Sequence, residues 1–319
     1  MYAEVLIQYG AKVLDKTFTY HIPSNINVVV GNKVKVEFAK KQIYGIVINI
    51  KNNTDLENVN EIIEVINPKI HLTNELIELG KYLSKECFCT LIKSYQTMFP
   101  TSLKVKNINS NYNKYDEYLE LNTSKEKVLE YIDKNKRSKA KIEILKRLLN
   151  GETINKSDIK SAYKGLIDEE IIKIRKVRKF RINTNINTKK EYVLTPEQNN
   201  IIDNVDLLSN KVHLLYGVTG SGKTVIYIDL IKKALKMNKG AIMLVPEISL
   251  TTQMVNRLYN SFGSDIAILH SGLSDGEKYD EYTKINDGLV HVVVGTRSAI
   301  FAPLNNIGLI IIDEEHSTT

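Results

Sequence analysis

The run GVTGSGKT, Gly217 to Thr224, constrains the fold more than any other part of the chain. It stands between an apolar segment, Val212 to Tyr216, and a helix-forming stretch, Val225 to Lys236. Its glycines let backbone N–H groups turn inward around phosphates, with the positive N-terminal end of the next helix behind them. In the G-x4-G-K-[ST] spacing, Gly217, Gly220, Ser221 and Gly222 form the cradle. Lys223 brings a point charge to the β- and γ-phosphates, and the Thr224 hydroxyl is a ligand for Mg²⁺. The flanking strand and helix separate this loop from a merely structural glycine turn. The run predicts ATP with Mg²⁺, and a parallel sheet to carry them.

The expected partner lies downstream. Gly308 to Ile312 reads as an apolar strand that delivers Asp313, Glu314, Glu315 and His316 at its C-terminal end, the edge where open α/β sheets bind ligands. Asp313 would hold the metal, and Glu314 would polarise the attacking water as general base. Further strands predicted at Ile242 to Val245, Ile266 to Leu269 and Val292 to Val294 fill the gap with βα units. That rhythm predicts a RecA-like lobe over 190–319 rather than a compact GTPase.

The remaining length is organised differently. A chain of 319 residues predicts about two domains. Hydrophobic residues at 43% and charged residues at 25% exclude a disordered, collagen-like or disulfide-scaffold chain. Lys and Arg number 44 against 37 Asp and Glu, for a net charge of +7. Cys87 and Cys89 are too closely spaced for a C-x2-C knuckle and lack a second pair, so they read as free thiols, with no zinc site in the chain. No apolar run reaches the roughly 18 residues of a membrane span, and the N-terminus has no signal-peptide pattern. The expectation is a soluble cytoplasmic protein with no membrane partner.

Residues 1–105 read as a small β-rich domain, with short β-branched runs at Val5 to Ile7, Phe18 to His21, Lys33 to Phe38 and Ile43 to Ile50. A helix opened by Thr73 follows. Residues 106–123 read as a linker. Residues 124–185 predict three short helices, the third over Lys156 to Lys164, and then a basic hairpin wing, Glu170 to Ile182. Together these suggest a winged-helix module. Six cations, Lys173, Arg175, Lys176, Arg178, Lys179 and Arg181, fall within that wing. They fit either a phosphate-backbone contact, with Arg175, Lys176, Arg178 and Lys179 as its centre, or a solvated edge strand protected against pairing.

The ordered strings LTPEQ (Leu194 to Gln198), GVTGSGKT, LVPEISLT (Leu244 to Thr251), LHSGLS (Leu269 to Ser274), GTRSAIFAPL (Gly295 to Leu304) and DEEH resemble superfamily 2 helicases. More narrowly they resemble the primosomal replication-restart helicases, the PriA family. KTFTYHIP and VGNKVKVEFAKKQIYGIVINI are similar to that family's N-terminal domain, which binds the 3′ end of a nascent strand. The resemblance implies a multidomain α/β protein: a β-rich 3′-end-binding domain, a winged helix and a RecA-like lobe. It implies an ATP-dependent 3′→5′ DNA helicase acting on branched and single-stranded DNA at forks, with primosome proteins and single-strand-binding protein as partners. It assigns adenine contact to Gln198 and coupling of nucleotide state to DNA to His316. Contact with the single strand falls to Thr296, Arg297 and Ser298, joined by Pro246 and Thr251. Phe18, Thr19, Tyr20 and Ala39 are assigned to the terminal-base pocket.

Two departures bear on that pocket. Where the family commonly reads T-F-D-Y, Thr19 replaces the acid that could accept from the 3′-hydroxyl. Where a glycine commonly follows the third-strand phenylalanine, Ala39 follows Phe38. Phe18 and Tyr20 also alternate on one strand face, so a core role stays open. The rest of lobe one, a second lobe with arginine fingers and the family's zinc module would lie downstream. The chain alone therefore reads as a DNA- and nucleotide-binding fragment with impaired turnover, the lobe truncated after DEEH. The alternatives are a translocase subunit of another superfamily 2 branch or a non-catalytic fork-binding module.

Overall fold

A computed structural model describes residues 1–99, 112–182, 193–218 and 220–316. They form two compact units, Met1–Ser110 with Ile182–Thr319, and Asn111–Arg181. Residues 106–111 of the expected linker, 183–185 at the end of the wing, Thr219 of the glycine loop and 317–319 lie outside the described residues.

In the first unit, β1 (Tyr2–Ile7), β2 (Thr17–His21), β3 (Asn32–Phe38), β4 (Lys41–Lys51) and β5 (Ile62–His71) make an antiparallel sheet in the order β2-β1-β4-β3-β5. Alternating β-branched residues, among them Val5, Val34, Val36 and Val47, share one buried core. The edge strands meet at a parallel bridge between His21 and Glu61, which curls the sheet toward a barrel. Helix α1 (Asn74–Glu86) is capped by Thr73, whose hydroxyl accepts from the Leu76 N–H at 3.3 Å. It packs on α2 (Leu91–Met98) at Gly80, where a Cβ would stand 2.2 Å from the Tyr95 ring.

β3 and β4 are joined by Ala39 and Lys40, both at positive φ, 50° and 61°, with Phe38 opposite Lys41. That two-residue turn is the geometry usually filled by Asn-Gly or Gly-Gly. An L side chain there costs about 1–2 kcal/mol. Ala39→Gly is therefore expected to raise the stability of the chain by about 1 kcal/mol in urea unfolding; an unchanged or lower midpoint would contradict the turn geometry.

Lys33 on β3 is buried. Burial pulls its ammonium down to about 8 from an ordinary value near 10.5. Between those values the unfolded chain holds a proton that the folded chain does not, so this group makes stability rise with pH from about 8 to 10.5. The expected gain is about 1–3 kcal/mol. Urea midpoints at pH 7.5, 9 and 10 should climb more steeply for the native sequence than for Lys33→Met; parallel profiles would refute the assignment.

Later in the same unit come α6 (Pro196–Asn204), α7 (Lys223–Lys236), β9 (Gly240–Leu244), α8 (Thr252–Phe262), β10 (Ile266–Leu269), α9 (Asp275–Asn286), β11 (Val292–Gly295) and β12 (Ile307–Ile312). The four strands form a parallel sheet in the order β10-β11-β9-β12. The apolar runs of β9, β10 and β11 fit strands covered on both faces, while β12 at the edge leaves Ile310 and Ile312 exposed, and two buried clusters flank the sheet. The strand expected over Val212 to Tyr216 is not formed: those residues carry no ladder, and Val212 and Tyr216 are 98% and 94% exposed. A buried strand of a parallel sheet is held by neighbours and by helices on both faces, and among the described residues no strand stands beyond β12. No helix among the described residues is long and apolar enough to cross a membrane.

The second unit holds β6 (Lys114–Leu121), α3 (Lys125–Lys134), α4 (Lys139–Leu149), β7 (Ile154–Asn155), α5 (Tyr163–Asp168) and β8 (Ile172–Lys179), with the sheet order β7-β6-β8. Val128, Leu145, Ile154, Leu166 and Ile172 fill its core. Three corrections follow. The third helix covers 163–168, while Lys156–Asp158 is a 3-10 turn held by the Asn155 side chain, which accepts from the Ser157 N–H at 3.0 Å. The basic run is one strand, not a hairpin. Its partner is Lys114–Leu121, inside the expected linker. The reason is charge complementarity over a long sequence separation: Lys173 meets Glu120, Lys176 meets Glu117 and Lys179 meets Asp116.

Candidate nucleotide and nucleic-acid site

The C-terminal edge of the parallel sheet gathers the residues singled out by sequence. Asp313 follows β12 and its N–H donates to the Leu244 carbonyl at the end of β9. Thr296 follows β11 and its N–H donates to the Leu269 carbonyl at the end of β10. Gly295 permits that approach, because a Cβ there would stand 2.2 Å from the Leu269 oxygen. Glu247 of the PEISLT run accepts from the Ser271 hydroxyl of the LHSGLS run.

Gly220 and Gly222 adopt φ of 82° and 87°, a conformation that side chains resist. Gly222 caps α7 without a side-chain hydrogen bond, so the leading amides of that helix receive no acceptor from a cap. The half-buried Lys223 donates to the Gly217 and Val218 carbonyls at 2.6 and 3.3 Å. Thr224 is half-buried one residue on, and Ser221 is exposed at the loop surface. Gln198 lies against this loop. Its amide nitrogen is where a Gly222 Cβ would reach within 2.5 Å, and its oxygen accepts from the Thr195 N–H at 3.0 Å in a capping box.

Tyr227 is the residue that sequence reading missed. It sits one turn beyond Lys223 on α7, and its hydroxyl donates to Asp313 Oδ1 at 3.1 Å. Burial, reinforced by the Asp313 and Glu314 carboxylates, pushes the phenol well above its usual range, so it remains a donor. A tyrosine inside an apolar helix face, one turn past the loop lysine, was the available signal. Glu314 (φ 51°) and His316 are exposed. Asp313 is half-buried and keeps one carboxylate oxygen outside the tyrosine bond.

The residues expected to meet DNA divide. Phe18 is half-buried, edge-on to Phe38 at 4.9 Å between centroids, with the Lys16 ammonium 5.6 Å above it. Thr19 is half-buried beside it. Tyr20 is 3% exposed and its hydroxyl donates to the Glu37 carbonyl at 3.1 Å. Of the two readings the sequence leaves open for Tyr20, the structure places its ring in the sheet's buried core, with Phe18 packed against that core. Thr296 is half-buried, and Arg297 and Ser298 are exposed. In the second unit, Lys176 and Lys179 are engaged by β6 carboxylates, Arg178 lies between the Tyr115 and Phe180 rings, and Arg175 is exposed on the strand.

The 3′ DNA-binding domain (3′BD) family matches residues 4–100 and the DEAD/DEAH box helicase family matches residues 195–319. A replication restart protein PriA of Bacillus subtilis (strain 168) is 34% identical over 395 residues, covering 100% of this chain and 49% of the relative. Its counterpart in Chlamydia muridarum is 32% identical, covering 99% of the chain and 44% of the relative. The PriA of Synechocystis sp. is 43% identical over 174 residues, 54% of this chain and 21% of its own. The chain thus spans about half the length of the first two relatives.

Proposed function

The chain belongs to the family of the replication restart protein PriA, and from that premise we propose that it is the DNA- and nucleotide-binding part of an ATP-dependent 3′→5′ DNA helicase that engages stalled forks and reloads the replication machinery. The observation that carries the proposal is the link between Tyr227, one turn past the loop lysine, and Asp313 at the sheet edge. In this reading 1–105 captures a 3′ end, 124–185 is a winged-helix DNA contact and 190–319 is a RecA-like lobe. Partners would be forked and single-stranded DNA, primosome proteins and single-strand-binding protein.

The donor set fits Mg²⁺. Such an ion takes one or two carboxylates and completes its shell with phosphate oxygens and water; Thr224 and Asp313 supply that minimum. No cluster of three or more metal-binding side chains is needed, and none occurs among the described residues. Bound Mg²⁺ supplies neutralisation of charge across the β- and γ-phosphates. Lys223 shifts from its loop carbonyls to the phosphates, and Gly220 to Gly222 present N–H groups to them. Tyr227 holds Asp313 in place, Glu314 orients the attacking water, Gln198 reads the base, and His316 relays nucleotide state to DNA at Thr296 and Arg297.

The 319-residue chain is expected to bind Mg²⁺–ATP through Lys223 and the glycine loop, and fluorescent-nucleotide titration tests this. Failure to bind ATP would overturn the nucleotide site itself.

A further inference from the structure

A cavity of about 220 Å³ opens at the C-terminal edge of β10 and β11, beside the last turn of α2. Its floor, made by Met98, Phe99 and Tyr282, is buried and largely apolar. Its rim is polar. Ser271 and Ser298 are exposed there, and the Lys278 ammonium donates to the Ser271 carbonyl at 3.1 Å. Tyr282 is 2% exposed, and its buried hydroxyl has no hydrogen-bond partner among the described residues. A phenol left in that state is an uncompensated cost for a residue with only a packing role.

The cavity is smaller than the roughly 300–1,000 Å³ pockets that enclose drug-sized molecules, so it suits a single ring system. Apolar and aromatic side chains, the exposed Ser298 hydroxyl and the Lys278 side chain, all lining the cavity, match what each residue of a single strand presents: a flat ring, polar ring edges and a phosphate. We propose that this cavity receives one unstacked base of a single strand running over the turn at Thr296 to Ser298. The proposal rests on the nucleic-acid reading above, and the site it describes is separate from Lys223 and Asp313, neither of which lines it.

The test uses the 319-residue chain and forked DNA whose junction fixes the register, with one abasic site moved along the single-stranded arm. At one position, loss of the base is expected to weaken binding about 5- to 150-fold, the worth of one stacked base, and at the others much less. Ser298→Trp, a substitution on the exposed rim that fills the mouth, should erase that position dependence. Binding with no sensitive position, or a sensitive position that survives Ser298→Trp, overturns the cavity and leaves strand binding standing. Absence of any strand binding overturns the cavity together with the reading beneath it.

Discussion

Lys223→Ala is expected to weaken binding of Mg²⁺–ATP about 10- to 150-fold, the equivalent of the roughly 1.5–3 kcal/mol carried by a hydrogen bond to a charged group. The lysine opens α7, and its ammonium lies on the Gly217 and Val218 carbonyls. In the proposed site those bonds hold it beside the glycine loop, and bound nucleotide would exchange them for charged oxygens. Fluorescent-nucleotide titration measures the loss. A circular-dichroism melt separates it from unfolding, because Lys223 is the first residue of its helix and the buried positions begin at Val225. Affinity unchanged within about twofold would mean that the loop does not hold phosphate.

Gly31→Ala is expected to destabilise the first unit by about 2–5 kcal/mol. Gly31 sits at φ 87°, where an L side chain costs about 1–2 kcal/mol. A Cβ there would stand 2.1 Å from the Leu72 oxygen, 2.7 Å from its nitrogen and 2.9 Å from its carbonyl carbon. None of these is the yielding end of a side chain, so backbone must move, and overpacking of that kind costs about 1–3 kcal/mol more. Movement would break two bonds at once, Gly31 N–H to the Val47 carbonyl at 2.7 Å and Leu72 N–H to the Gly31 carbonyl at 3.1 Å. Urea unfolding monitored by tyrosine fluorescence reads the change. A loss below about 0.5 kcal/mol, the scale of an ordinary surface substitution, would contradict the close approach.

The residues of the proposed nucleotide site were legible because they are local: loop, lysine and following helix are contiguous, and Asp313 ends an apolar strand. The β-branched runs of the first domain were legible for a similar reason, and Thr73 and Ser124 mark helix starts through side-chain bonds three residues long. What escaped depends on distant pairing. Lys114–Leu121 looks like a linker until its carboxylates are set against the cations of Ile172–Lys179. Tyr20 and Phe18 share a strand face, yet only the curvature of the barrel decides that one ring is core and the other stays half-buried. Tyr227 reads as a core aromatic until α7 and β12 are brought together. The same holds for Val212 to Tyr216, where apolar composition announces a strand but the residues carry no ladder.

The wing illustrates how charge is reduced by context. Lys173, Lys176 and Lys179 face carboxylates across the sheet, and exposed pairs of this kind are worth about 0–1 kcal/mol each. They can therefore be surrendered to phosphates at little cost. A DNA contact by this strand would still release counterions and weaken with salt.

The central proposal, capture of a fork through its 3′ end, is tested most directly by the affinity of the 319-residue chain for two forks of one sequence. One carries a nascent 3′ end at the branch, and the other has that strand removed. A blunt duplex of equal length is the reference. The expected result is binding of the 3′-end fork at least about fivefold tighter than of either competitor, the lower bound for one stacked base. Equal affinity for all three would contradict it.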